Sequence, residues 1–325
     1  MSIDRSLLQR FASWVSSAQR VLLVAHERPD GDGISSALAM RQALRQLGKV
    51  ADCVSRDPIP ATFQFLPEAN TFVRDFFIGD YDTIITFDCG DARRTGFDDR
   101  FRVFAHTRRR LINIDHHPKN DLHRVANMNL IDPGAAATAQ IVYEIFGSQG
   151  WPINHSIATC LLCGLHTDTG GFKHPNTTPR VLKIASDLLA RGGRLKDITR
   201  HLVNARSVPM LRLWGLVLNR LRQRVDLGIV SSMVTLEDLK QCQATHDDVA
   251  GVVNLIKNIP KTKVAILFIE ETDGSIRASL RTDAEGVDVA RLAALFGGGG
   301  LKKAGGFSIT AHLHSTQNHW DIVWQ

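Results

Sequence analysis

Apolar runs of strand length alternate with helical runs through roughly the first 190 residues, and three of those runs end on histidine or aspartate. "RVLLVAH" closes at His26, "YDTIITFDC" reaches Asp88 and "RRLINIDHH" reaches Asp115. Between them, "ISSALAMRQALRQLG" keeps Leu38, Ala39, Ala43, Leu44 and Leu47 on one helical face, with Gly48 as a C-cap. "VADCVS" reads as a further strand, and helical runs follow at 135–148, 154–166 and 178–191. Such alternation predicts an α/β fold with a parallel, doubly wound sheet covered by helices on both faces. Ligands of such sheets bind at the carboxyl ends of the strands, where these acidic and imidazole side chains fall.

The periodicity changes further along. "ARGGRLKDITRHLVNARSVPMLRLWGLVLNRLRQ" is purely helical and reads as a bridge over 191–222. From 223 onward "RVDLGIVSSMVT", "KVAILFIEE" and "SIRASLRT" read as strands, and "DDVAGVVNLIKNI" and "DVARLAALF" as helices. The expected organisation is thus a site-bearing domain over 1–190, a helical linker over 191–222 and a smaller α+β domain over 223–325. A chain of 325 residues exceeds what one core usually covers.

Composition narrows the function classes. The amino terminus lacks an apolar signal core; Leu7, Leu8, Phe11, Trp14 and Val15 recur instead at amphipathic-helix spacing. No stretch is long and apolar enough to span a bilayer, so the expected setting is cytoplasmic, with no membrane partner. Five scattered cysteines argue against a disulfide framework. Cys160 and Cys163 form a CxxC inside a helical apolar run, which predicts small core residues rather than a zinc or redox pair. A net charge of +6 suits an anionic substrate such as a nucleotide or RNA.

Four segments concentrate carboxylates and imidazoles: "HERPDGD" with His26, Asp30 and Asp32, "FDCGD" with Asp88, "IDHHP" with Asp115, His116 and His117, and "LHTDTGGF" with Asp168. Carboxylates crowded at one rim repel unless one takes up a proton or a cation intervenes. Carboxylate with imidazole and no thiolate favours Mn²⁺ or Mg²⁺, with Co²⁺ or Zn²⁺ as further candidates. Asp30 and Asp32, two apart around a glycine, can address different ions of a two-metal phosphoryl-transfer site.

These four segments resemble the motifs of the DHH phosphoesterase superfamily, named for Asp-His-His. "SLRT", "GVDVARLAALFGGGG" and "KKAGGF" resemble its associated C-terminal domain. In length and layout the chain is similar to the subgroup of bacterial bifunctional oligoribonucleases and pAp phosphatases. The resemblance implies an active site in the cleft between two domains and two divalent cations, Mn²⁺ foremost. His26, Asp30 and Asp88 would hold one ion, and Asp32, Asp88, His116 and Asp168 the other. Asp115 would orient an imidazole or the local backbone, and His117 would meet the substrate phosphate as a contact or proton donor. Arg94 is the candidate phosphate contact, with Arg93 as its alternative.

In the second domain, Gly297 to Gly300 would let backbone approach a phosphate, with Gly298, Gly299 and Gly300 as contacts and Lys302 and Lys303 adding charge. Arg281 matches the family's substrate-gripping arginine. One departure stands out: Leu301 occupies the place where the family pattern has a histidine after the glycines. A leucine cannot donate to a phosphate, so substrate preference is what this change touches; His312 or Lys302 could compensate.

The implied activity is hydrolysis of short single-stranded RNA and dinucleotides such as pApA or pGpG to mononucleotides, and of pAp to AMP, by metal-activated hydroxide. A homodimer is compatible with it. The competing readings are another hydrolase of the superfamily (a cyclic-dinucleotide phosphodiesterase, exopolyphosphatase, pyrophosphatase or single-strand exonuclease), a nucleotide-binding module without turnover, or a structural protein with acidic loops.

Overall fold

The computed structural model describes residues 3–106, 109–118, 121–202, 207–315 and 320–324, which form two compact units, Met1–Ala205 and Arg206–Gln325. In the first, the chain runs α1 (Arg5–Ser17), β1 (Arg20–Ala25), α2 (Gly31–Gln46), β2 (Val50–Val54), β3 (Phe72–Val73), β4 (Thr83–Phe87), α3 (Asp98–His106), β5 (Arg110–Asp115), α4 (Leu122–Val125) and β6 (Met128–Ile131). Four helices complete it: α5 (Thr138–Gln149), α6 (His155–Asp168), α7 (Pro179–Ala190) and α8 (Leu195–Leu202).

The six strands form one parallel sheet in the order β3-β2-β1-β4-β5-β6. Every residue of β4 is buried, as are Val21–Ala25 of β1 and Leu111–Asp115 of β5. Strands covered on both faces need continuous apolar runs rather than alternation, which is why "VLLVA" and "TIITF" are legible as strands. Strand order reverses between β1 and β4, so the segments after these neighbouring strands, carrying His26 and Asp88, flank the switch point where such sheets open a crevice. The predicted helices of this unit lie within three residues of those observed, whereas β6 has no counterpart among the strands expected from sequence.

One large core packs α1, α2, α5, α6 and α7 on a sheet face, with Phe11, Leu38, Phe87, Ile141 and Leu161 fully buried. A smaller aromatic cluster of Phe97, Phe101 and Phe104 covers the other face. All five cysteines are free and buried, Cys160 and Cys163 inside α6, in keeping with core packing. Burial pushes both thiols well up, Cys163 to about 12.

The second unit runs α9 (Val208–Asn219), β7 (Arg222–Arg224), β8 (Ile229–Val234), α10 (Leu236–Cys242), α11 (Val252–Ile256), β9 (Val264–Glu270), β10 (Ile276–Arg281), α12 (Val289–Ala294), β11 (Gly299–Leu301), β12 (Ala304–Ile309), β13 (Ala311–Ser315) and β14 (Trp320–Trp324). Its main sheet is mixed, ordered β11-β12-β10-β9-β8-β7, with only β8 and β9 parallel; β13 and β14 pair separately. The helical stretch expected as one bridge resolves into α8 in the first unit and α9 in the second, with residues 203–206 outside the described set.

Candidate active site

The "PDGD" stretch is a helix start. Asp30 is the N-cap of α2, its Oδ1 accepting from the N–H groups of Asp32 (3.1 Å) and Gly33 (3.2 Å). Asp32 points inward and is fully buried. Its two oxygens accept from the N–H groups of Thr138 (2.5 Å) and Ala139 (2.9 Å) at the start of α5, whose own N-cap, Ala137, has no side chain to offer. Gly164 of α6 makes room for this: a Cβ there would lie 2.7 Å from Asp32 Oδ1 and 2.6 Å from the Ala139 methyl.

Asp88 follows β4 with φ of 56°, a left-handed conformation that aspartate tolerates better than most residues. The Thr138 hydroxyl donates to Asp88 Oδ1 at 3.2 Å, so one residue holds Asp32 through its backbone and Asp88 through its side chain. Asp115, at the end of β5, accepts from the Gly90 N–H (2.9 Å) and the His117 N–H (2.9 Å), and lies 2.9 Å from His117 Nδ1. Its oxygens are occupied, as an orienting carboxylate requires.

The donor atoms converge in three overlapping groups: His26, Asp30 and Asp88; Asp88, His116 and His117; and Asp32, His116 and Asp168, with the donors of each group within 4.8 Å of one another. His116 Nε2 lies 3.3 Å from both Asp88 Oδ1 and Asp168 Oδ2. The six sequence-predicted ligands thus meet in one place, with His117 and Asp115 alongside.

The electrostatics ask for a cation. Burial and the charges of Asp88 and Asp30 push the Asp32 carboxyl far above its ordinary range, against the Ala139 and Thr138 N–H groups that lower it. Burial, then Asp32 and Asp88, raises Asp168 to about 9. Burial opposes ionisation of Asp88 too, but hydrogen bonds and charge from His116 and His117 outweigh it and hold Asp88 below the usual carboxylate range. Hydrogen bonds to Asp115 and then Asp88 raise His117 to about 10. Burial works against the proton on His26, yet Asp30, the Glu27 carbonyl and Asp88 together outweigh it and raise its pKa.

One atom tests whether a metal fits. His26 Nε2 is buried with no hydrogen-bond partner, 3.5 Å from Asp30 Oδ1 and 3.8 Å from Asp88 Oδ2, while Nδ1 lies 2.7 Å from the Glu27 carbonyl. A proton on Nδ1 donated to that carbonyl leaves the Nε2 lone pair directed among carboxylates, which is how a metal-binding imidazole is held. Oxygen and imidazole donors without thiolate suit Mn²⁺, Mg²⁺ or Co²⁺.

The DHH family N-terminal domain matches residues 20–165, and the DHHA1 domain matches residues 228–319. A Thermus thermophilus protein named bifunctional oligoribonuclease and PAP phosphatase NrnA is 32% identical over 89% of this chain and 84% of its own. The chain belongs to the DHH family. A Bacillus subtilis protein of the same name is 26% identical over 91% of both chains. The crystal structure of an exopolyphosphatase-related protein from Bacteroides fragilis superposes on this DHH chain with a TM-score of 0.84 and 26% identity, over 97% of this chain and 93% of that one.

The remaining candidates are placed as follows. Arg94 sets Nη2 3.3 Å from His26 Nδ1, whereas Arg93 is solvent-exposed, so geometry favours Arg94 as the cation beside the site. In the DHHA1 unit, Arg281 is half-buried, and its guanidinium donates to the Leu280 carbonyl at 2.8 Å. It sits opposite Ala304, next to the β11–β12 turn that carries exposed Lys302 and Lys303. The glycine run is no open loop. Gly299 and Gly300 pair with β12, and a Cβ on Gly298 would lie 2.2 Å from the Gly306 carbonyl oxygen. Gly300, at φ of 137°, would set one 2.4 Å from the Ala304 carbonyl oxygen, so hairpin packing itself demands glycine at these two positions, while Gly299 faces open space. Leu301 is 76% exposed. Sequence reasoning passed over Thr138 and Gly164. Thr138 follows "GAAA" at a helix start, a weak capping signal, and Gly164 is indistinguishable from any other small residue in an apolar helix. Among the described residues, no helix is long and apolar enough to cross a membrane.

Proposed function

We propose that this DHH hydrolase cleaves phosphate esters of short oligonucleotides and dinucleotides to mononucleotides and converts pAp to AMP, with two divalent cations, Mn²⁺ foremost. The observation that carries the reading is the unpartnered Nε2 of buried His26 among Asp30 and Asp88, within a cluster where burial and neighbouring carboxylates oppose ionisation of Asp32 and Asp168. The names of the relatives supply the substrate class. His26, Asp30 and Asp88 would hold one cation, and Asp32, Asp88, His116 and Asp168 the other.

Bound cations supply Lewis-acid charge against phosphoryl oxygens and lower the pKa of water. The protein's own groups do the rest. Asp115 fixes His117 through Nδ1, and with its pKa near 10 the imidazole keeps a proton that Nε2 can give to a phosphate or leaving oxygen. Arg94 adds a fixed positive charge beside His26 for the same anion. Thr138 keeps Asp88 and Asp32 in register. Arg281, Lys302 and the Gly298–Gly300 backbone are the substrate contacts proposed in the DHHA1 unit. Short oligonucleotides arise in the cytoplasm, which this reading takes as the setting.

The test is hydrolysis by metal-stripped protein resupplied with Mn²⁺, Mg²⁺, Co²⁺ or Zn²⁺. Substrates are pApA, pAp, pyrophosphate and single-stranded DNA. Turnover of pApA and pAp above the other two supports the proposal; no hydrolysis of either with any cation overturns it.

A further inference from the structure

Beside the acidic cluster, the first unit carries a hollow of about 570 Å³ that the chemistry above leaves unused. Its walls include His166 and Thr167 of α6, Phe172 and Lys173 from the turn after α6, and Thr199 and Leu202 of α8. The volume lies within the range of about 300–1,000 Å³ of small-molecule sites. Phe172 and Leu202 each pack one side on the core and leave part of their surface uncovered.

Three observations single the hollow out. His166 is 9% exposed, and its Nδ1 is buried with no hydrogen-bond partner, a costly state for a polar atom. The turn after α6 runs through three successive left-handed residues, Gly170 (φ 58°), Gly171 (φ 70°) and Phe172 (φ 65°). Glycine takes that conformation freely. Phenylalanine does not, and its neighbours must hold it there, with the ring edge-on to His166 at 5.8 Å. Third, the hollow adjoins the carboxylates: a Cβ on Gly31, the residue between Asp30 and Asp32, would lie 2.3 Å from the Thr167 methyl. The residue after Thr167 is Asp168 itself.

We propose that this hollow is a nucleobase subsite. Phe172 and Leu202 take the faces of the base, the His166 imidazole meets its hydrogen-bonding edge, and Lys173 at the rim pairs with a flanking phosphate. A flat apolar body with a polar edge and a nearby anion describes a nucleotide. The assignment rests on the proposed function, whose substrates place a base a few bonds from the phosphorus attacked.

The test is calorimetric titration of the Mn²⁺-loaded protein with AMP and with ribose 5-phosphate, which needs no turnover. Because one stacked base contributes roughly a tenfold or greater gain in affinity, AMP is expected to bind the wild type at least about tenfold tighter than ribose 5-phosphate. Thr199→Trp, a helix-surface change that fills the hollow, and Phe172→Leu should each bring that ratio to within about twofold while leaving ribose 5-phosphate affinity unchanged. An unchanged ratio in both variants, or an equal loss for both ligands, overturns the subsite. Hydrolysis of pApA by the wild type is assayed in parallel. Its absence would overturn the function, while the affinity ratio still judges the hollow.

Discussion

The Thr138 hydroxyl donates to Asp88 Oδ1 across 3.2 Å inside a buried shell, while the same residue's N–H binds Asp32. A buried carboxylate that loses a donor suffers a penalty of about 1–3 kcal/mol. Thr138→Val, which keeps the shape, should lower kcat/KM on pApA by roughly tenfold to a hundredfold. Thr138→Ser should retain most of it. Mn²⁺ titration of the two variants checks the cause, since only the valine form should bind the cation more weakly.

Gly164→Ala tests how tightly α6 closes on Asp32. The added methyl would fall 2.7 Å from Asp32 Oδ1 and 2.6 Å from the Ala139 Cβ, both in the core. Overpacking of this kind costs about 1–3 kcal/mol. The expected result is a melting temperature lower by several degrees together with weaker Mn²⁺ binding; a thermal melt at wild-type temperature would contradict the packing described.

Protons and cations should compete for the cluster. Asp168, raised to about 9 chiefly by burial, and His117, raised to about 10 chiefly by Asp115, both bind protons more tightly folded than unfolded. Their stability contribution is therefore complete below the unfolded pKa values of about 3.9 and 6.5 and is lost as pH climbs toward the folded ones. Metal-free protein should melt at progressively lower temperature between pH 5 and 9. Mn²⁺ displaces the Asp168 proton, so the temperature gained on adding it should grow with pH. Scanning fluorimetry in chelator and in Mn²⁺ across that interval decides the matter.

Asp115→Asn removes the anion that accepts from the His117 ring at 2.9 Å. In metal-free protein the His117 pKa should fall by at least about one unit, read by NMR titration of the imidazole nitrogens. The Gly90 and His117 N–H groups lose a charged acceptor in the same change, so a modest drop in melting temperature accompanies it.

Leu301→His restores the residue type of the family pattern at a position 76% exposed. Stability should stay within about 0.5 kcal/mol of wild type, as for most surface changes. The KM for 5′-phosphorylated dinucleotides should fall by roughly tenfold with kcat unchanged, the gain expected from about one added hydrogen bond to phosphate. Steady-state kinetics on pApA separates the two parameters.

The sheet was legible because its central strands are buried on both faces, so "VLLVA" and "TIITF" carry their burial in composition alone. The convergence of His26, Asp88, Asp115 and His116 at the candidate site was legible because these residues end or follow those strands, whereas Asp30 and Asp32 open α2 and Asp168 closes α6. What stayed hidden depends on contacts between distant segments. Asp32 caps a helix more than 100 positions away, and nothing local to "PDGD" or to "AATAQ" announces the pairing. The glycines before Leu301 read as backbone able to approach a phosphate; that Gly298 and Gly300 are also required by the backbone of a neighbouring strand is a constraint invisible without the register of β11 on β12. Strand β6, MNLI, alternates buried and half-exposed residues over four positions, too few for periodicity to speak.

The donors that meet around Asp88 are spread from His26 to Asp168, and the last arrives on a helix that must already be seated against α2 and α5. A chain still being synthesised therefore has no complete nest to offer until more than half of it has left the ribosome. On the proposed function, cation loading becomes a late event in biogenesis, and a product truncated before α6 would lack Asp168 and hold a cation poorly.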